Sequence, residues 1–358
     1  MAGIIYSASA GLNDAKLGKM LTPLRTVIEY ESDLAKKNDK VLETLFNVAT
    51  SNNWAETIQY QDEFGEFMYA PEGSRGENDS MADTFAKVIE HIPFIKEFTI
   101  TKQMMDDAKY GVSADMSRRA AAFTRAYYKT RMSLGVKALT GATASAITFN
   151  GASVDLTTAD KLPLFHKDHL FGNDKSHGQG KQSNHFYLPR SSGETNITLE
   201  AVMNLIEEGV HRIRTMKDEN GEVLGYTADT LIIPGNQPLL ERYVKQALGS
   251  EYMPTGGTNA INVQAGNWNL VVLPTWAHDA TSGELPILVM SSEANKNLDG
   301  SMFFNRVPLD IKDYIDEGSR NWNWNGYCRF GIGFATYKHI VRLVSCSNGK
   351  TVTNASAI

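Results

Sequence analysis

The period of apolar and polar positions changes several times along the chain, and each change marks an element. Residues 1–50 follow a Gly/Ser/Ala-rich start with a weak amphipathic pattern (Leu34, Val41, Leu42, Leu45, Phe46, Val48), which predicts an arm rather than a self-contained domain. In the next segment Trp54, Ile58 and Tyr60 alternate with Ala55, Thr57 and Gln59, the period of a strand. Phe98 and Ile100 alternate in the same way near residue 102, and between the two runs lies APEGSRGENDSMAD, dense in turn-formers. Residues 51–102 therefore read as one long two-stranded hairpin. An isolated ribbon of that kind is marginal in water and needs another surface to lie on.

The clearest helix spans 113–141. Ser113 is placed as its N-cap, Asp115 lies in the first turn and Gly141 closes the far end. Met116, Ala120, Phe123, Tyr127, Leu134 and Ala138 form one stripe that skips only Arg131. At 1.5 Å per residue such a helix is about 40 Å long. A second helix is predicted from Leu199 to Met216, and a third has Pro238 at its first position and Gly249 just past its end. Short apolar strands are predicted at Tyr226–Pro234, Asn269–Pro274 and Pro286–Met290, so that 220–300 reads as a compact α+β unit. From Asp310 to Asp316 and from Trp322 to Val344 alternation runs on over long strands, suggesting a sheet that packs on the long helix.

Charge changes this picture where it is uneven. The whole chain of 358 residues carries 35 Lys and Arg against 41 Asp and Glu, a net charge of −6, so no overall basic excess marks a nucleic-acid binder. From Val41 to Ala86 there is no lysine and a single base, Arg75, against Glu43, Glu56, Asp62, Glu63, Glu66, Glu72, Glu77, Asp79 and Asp83, a local charge of −8. The long helix carries Arg118, Arg119, Arg125, Lys129, Arg131 and Lys137 against Asp115, or +5. An acidic ribbon beside a basic helix in one chain points to an electrostatic partnership between them. The other partner for that basic face is nucleic-acid phosphate.

Catalytic chemistry finds little support. There is no phosphate-binding GxxxxGK[ST] loop, no GxSxG elbow and no HExxH helix. Gly331 and Gly333 begin a GxG, but Ala335 follows within a strand pattern. Cys328 reads as a small buried hydrophobe. Asp106 and Asp107 are adjacent, point apart, and suit the start of a helix better than a two-carboxylate site. His166, His169, His177 and His185, with Asp168 and Asp174, have the chemistry of a metal site and keep a metal-dependent hydrolase open as an alternative. Gly172, Gly178 and Gly180 break the segment, and its expected state is a long polar loop whose histidines are solvated or hydrogen-bond locally. No catalytic residue, cofactor-binding residue or metal ligand is assigned. The two cysteines are too few for a disulfide scaffold, no apolar run approaches the length of a membrane span, and the first twenty residues lack the pattern of a secretory signal. These features read as a reduced, soluble, cytosolic chain.

The order of elements (arm, overhanging acidic hairpin, long helix, compact α+β unit, returning long strands) resembles the Hong Kong 97-type fold of tailed-phage major capsid proteins. FTITKQMMDDAKYG (98–111), LPLFHKDHLFGN (162–173) and the strands around Phe330–Tyr337 are similar to Mu-like major head subunits. In the second string Leu164, Phe165 and His169 approximate the family pattern, with Asn173 displaced. The resemblance covers Trp54 to Val344. It implies an α+β fold with an N-terminal arm (1–50), an extended loop (51–102), a peripheral domain (103–219 and 301–345) holding the spine helix 113–141, an axial domain (220–300) and a tail (346–358). It also implies self-assembly through pentamers and hexamers into an icosahedral head. Implied partners are further copies of the chain, scaffolding, portal and decoration proteins, and packaged double-stranded DNA held by non-specific contact. No membrane, enzymatic activity or cofactor is implied. The chain would assemble in the host cytoplasm and reside in the virion. Assembly contacts are expected at Glu56, Asp62, Glu63, Glu66 and Glu72 on the hairpin and at Arg118, Arg119, Arg125, Lys129 and Arg131 on the helix. Some relatives weld this loop covalently through a lysine, and the lysine-free run to Ala86 argues against that here. No long helical segment precedes the arm, so any scaffold is expected to be a separate product. An encapsulin-like nanocompartment resembles the same fold and is the nearer alternative.

Overall fold

The computed structural model describes residues 4–6, 15–61, 69, 71–75, 83–107, 114–171, 180–190, 197–219, 221–252, 261–278 and 284–346. The chain divides into two compact units, Met1–Glu56 with Ile89–Gly135 and Met302–Ile332, and Thr57–Val88 with Val136–Ser301 and Gly333–Ile358. This division is coarser than the five parts expected from sequence and passes through the long helix.

The first unit is built around a sheet of long strands. β1 (Ile5–Tyr6), β2 (Asn47–Thr50), β5 (Ile92–Ile100), β14 (Ser301–Ile315) and β15 (Trp322–Phe334) form it in the order β1-β14-β15-β5, with β2 also on β14. β5 runs antiparallel to β15, pairing Trp322 with Ile100 and Phe330 with Ile92. The alternation of β15 aims Trp322, Trp324, Cys328 and Phe330 at the core. Phe98 stacks on Trp324 at 5.8 Å and lies 5.1 Å from Phe123, and Phe94 stacks on Phe330 at 4.8 Å. Phe123 belongs to α4 (Ala114–Thr140), whose whole predicted stripe is buried. The arm segment contains α1 (Ala15–Asn38) and α2 (Lys40–Leu45), which bury Met20, Leu24 and Ile28, and Leu42 and Leu45.

The second unit holds a sheet in the order β10-β16-β13-β11-β12, formed by β10 (His185–Pro189), β11 (Thr230–Pro234), β12 (Asn269–Leu273), β13 (Glu284–Met290) and β16 (Ile340–Cys346). α5 (Leu199–Arg214) packs on β13, β16 and α6 (Pro238–Gly249). The Thr198 hydroxyl caps α5 by accepting from Ala201 N, and Val202, Met203, Ile206, Val210 and Ile213 fill its buried face. β11 is buried along its length, in keeping with a short apolar run paired on both edges, by β12 and β13.

Two sequence expectations change. The hairpin consists of β3 (Ala55–Gln61) and β4 (Asp83–Glu90), and its return strand stops at Glu90. Residues 92–100 are a separate strand, β5, committed to β15. Only His91 separates β4 from β5, and period-2 alternation carries no record of which neighbour a strand bonds to. Asp106 and Asp107 end the short helix α3 (Lys102–Asp107) instead of preceding a helix, and Asp106 pairs with Lys102 one turn back at 3.0 Å. Ser113, the expected cap of α4, lies outside the described residues.

Candidate assembly surfaces

α4 presents one basic face to solvent. Arg118, Ala122, Arg125 and Lys129 recur at three- and four-residue spacing and are all exposed. Arg118 pairs with Asp115 at 3.5 Å and Arg125 with Glu31 of α1 at 3.8 Å, both arginine side chains remaining largely in water. Arg119 donates to the Thr99 carbonyl at 2.8 Å, so one of its nitrogens is engaged within the subunit.

Arg131 departs from this pattern. It is buried, 3.8 Å from Asp39, with its guanidinium 5.6 Å from the Tyr127 ring centroid and 5.3 Å from that of Phe303. The residue that interrupted the apolar stripe is therefore part of the buried face, its stem packed and its charge matched internally. It is not on the exposed basic face. Burial raises the Asp39 carboxyl above its ordinary range, and the Arg131 charge opposes that.

On the acidic side, Glu56 accepts from Ser51 Oγ at 2.5 Å and from Asn53 Nδ2 at 3.1 Å, bonds that hold its carboxyl below the usual range. Glu72 is exposed, in a turn where Ser74 N donates to the Pro71 carbonyl at 3.0 Å. Asp62, Glu63 and Glu66 lie outside the described residues. Lys87, just beyond the lysine-free run, is buried and bonded to Asp155 at 2.5 Å and Thr157 at 3.0 Å. Trp54 and Tyr30 stand 67% and 68% exposed.

The histidine segment keeps the local hydrogen bonding expected of it, but its centre is buried instead of forming a solvated polar loop. His169 is fully buried, stacked on Tyr337 at 3.8 Å, with Nδ1 2.7 Å from Asp160 Oδ2 and Nε2 3.1 Å from the Leu164 carbonyl. Burial alone would raise the Asp160 carboxyl, but the His169 bond and charge hold it below its ordinary range. His166 accepts at Nδ1 from Asp168 N, at 3.1 Å. The Nε2 of His185 is taken by Arg342, and burial followed by that cation lowers its pKa to about 3. Asn184, fully buried, donates to the Leu164 carbonyl at 2.7 Å and the Ile340 carbonyl at 3.2 Å. These side chains tie the segment to β16 and its neighbours. Among the described residues no three His, Cys, Asp or Glu side chains converge on a metal position; His177 and Asp174 lie outside them. Nor, among the described residues, is any helix long and apolar enough to cross a membrane.

The GxG at 331–333 is likewise structural. A Cβ on Gly331 would stand 2.6 Å from His91 Nδ1 and 2.9 Å from the Glu90 carbonyl, so the glycine lets β15 pass close to the hairpin's root. Sequence reasoning did not single out Ser51 or His91, which lie 40 residues apart and meet at 3.0 Å. Neither carries a local signal.

No curated protein matches the chain by sequence. Among solved structures, the chain is similar to the capsid of cyanophage P-SCSP1u, with a TM-score of 0.53 at 9% identity over 86% of this chain and 88% of that one. It also aligns with the capsid of Ralstonia phage GP4 (TM-score 0.49, 10% identity, 86% and 88% covered) and that of Myoviridae phage XM1 (0.48, 11%, 85% and 90%). At such identities the likeness concerns the fold, the Hong Kong 97-type capsid fold. The phage capsid protein family matches residues 87–343, from β4 through the spine helix and both sheets to β16. With this match over most of its length, the chain belongs to the phage capsid protein family, as a structural major capsid protein and a component of the virion.

Proposed function

We propose that the chain assembles through pentamers and hexamers into the icosahedral head of a tailed phage around double-stranded DNA, and that assembly takes place in the host cytoplasm. The observation that carries this reading is the basic face of α4, exposed at Arg118, Arg125 and Lys129 in a chain whose segment from Val41 to Ala86, most of it hairpin, carries a charge of −8. The hairpin of one subunit lies across the spine helix of the next, Glu56 and Glu72 being the two expected contact acids within the described residues, while residues 1–50 strap adjacent subunits. The 220–300 part meets its copies at the capsomer centre, and 103–219 with 301–345 forms the periphery.

Each exposed ion pair contributes about 0–1 kcal/mol and weakens with salt. Stability of the shell then comes from many such contacts, each later one forming at high effective concentration. Scaffolding, portal and decoration proteins are the further partners this reading admits. Negative-stain electron microscopy with sedimentation tests the reading: closed shells, or rings of five and six, are expected. A protein that stays monomeric across salt and crowding, alone and with its scaffold, would overturn it.

A further inference from the structure

The root of the hairpin contains a polar cluster with an unmet bond. Ser51 precedes β3, His91 sits between β4 and β5, and both are buried, at 3% and 5% exposure. Ser51 Oγ donates to Glu56 Oε1 at 2.5 Å, which leaves its lone pairs to accept from Asn53 N at 3.2 Å and from His91 Nε2 at 3.0 Å. His91 is then the neutral tautomer protonated at Nε2, and Nδ1 carries a lone pair. That Nδ1 is buried and has no hydrogen-bond partner. Backbone closes over it, since even a Cβ on Gly331 would be 2.6 Å away, and the Phe304 ring meets the imidazole edge-on at 6.1 Å.

We propose that the Ser51–His91 contact is an acid-operated catch at the root of the hairpin, which a proton on His91 Nδ1 opens. A proton there has no acceptor, and the ring becomes a cation in a desolvated position. The charged groups that act on it are Glu56 at the start of β3, Arg306 of β14 and Arg329 of β15, two cations against one anion. Arg329 also donates to the His91 carbonyl at 3.1 Å, which keeps its guanidinium close. The proton is therefore accommodated by release of the ring to water, and with it of the bond that ties the residue after β4 to the residues before β3.

The direction of the pH effect follows. Burial first, and then Arg329, hold the His91 imidazole below its ordinary range, while Glu56 opposes this more weakly. A histidine lowered in the closed form contributes its stabilisation in full above the free value of about 6.5 and loses it as pH falls below that value. The loss grows by at most tenfold per pH unit and stops at the lowered value. The Glu56 carboxyl is itself held below its ordinary range by Ser51 and Asn53, so it stays an acceptor through this window and the release belongs to His91.

Amide hydrogen exchange on the unassembled subunit tests the catch, independently of the assembly contacts proposed above. At pH 5.5, after correction for the intrinsic rate, peptides covering 51–56 and 89–92 are expected to exchange faster than at pH 7.5, by up to about tenfold. Peptides from β13 and β16 should hold their protection. His91→Gln keeps a donor toward Ser51 without a titrating ring and should protect the root equally at both pH values. Root protection independent of pH in the unmodified protein, or an unchanged pH dependence in His91→Gln, would overturn the proposal. Should the variant not fold, ring nitrogen NMR of the unmodified protein decides: a proton on Nε2 alone at pH 7.5 and an imidazolium forming below the free value are expected, and a proton on Nδ1 at pH 7.5 is the opposite result.

Discussion

Gly326 of β15 faces the ring of Phe123 on α4 so closely that a Cβ at residue 326 would stand 2.3 Å from Phe123 Cζ and 3.1 Å from Leu309 Cδ1. The glycine lets the helix settle onto the sheet, and the Phe98, Phe123 and Trp324 rings pack in that closeness.

Gly326→Ala is accordingly expected to destabilise the protein by about 1–3 kcal/mol through overpacking. Gly249→Ala, at the end of α6, meets nothing within 4 Å and serves as the neutral comparison. Thermal unfolding of the two variants side by side checks this; equal melting temperatures would contradict the close fit.

The Asp160–His169 pair sets an acid limit. Both side chains are buried, at 3% and 0% exposure, and the Asp160 carboxyl is held low. A carboxylate lowered by folding contributes stability that is present above its free value near pH 4 and lost as pH falls below it. Asp160→Asn should therefore melt earlier at pH 7, by roughly 3 kcal/mol for a broken buried pair, and show a flatter decline between pH 5 and pH 3. Melting curves across that range provide the measurement.

Cys328 should be silent toward thiol reagents while the protein is folded. It is buried, its Sγ contacts the Phe94 carbonyl at 3.6 Å, and burial pushes its pKa up to about 12, so almost no thiolate is present at pH 8. Cys346 is buried as well. No colour is expected from a disulfide reagent on the native protein, and two thiols per chain after denaturation.

Charge reversal separates the surface arginines from the buried one. Arg118→Glu with Arg125→Glu and Lys129→Glu should leave the subunit folded but weaken assembly, most clearly at low salt. Arg131→Glu puts an acid beside Asp39 under the Phe303 ring and should unfold the subunit instead. Circular dichroism and sedimentation together distinguish the two effects.

What the sequence determined by itself was whatever repeats locally. The stripe Met116–Ala138 foretold α4 and its buried face, Pro238 and Gly249 marked α6, and NWNWNGYCRFGIGF announced β15, because helix and strand periods are written in neighbouring residues. The uneven charge of hairpin and helix was equally visible, since charge needs no partner to be counted. Only the tertiary structure decided the pairings. It split the run before residue 102 into β4 and β5 and sent β5 to β15, more than 200 residues away. It turned Arg131 from surface to core, and made His169 a buried partner of Asp160 where a polar loop was expected. It also brought Ser51 to His91. The physical reason is common to all of these: a strand's free edge, a guanidinium or an imidazole is satisfied by whatever folding brings within about 3 Å, and local sequence pattern does not specify that neighbour.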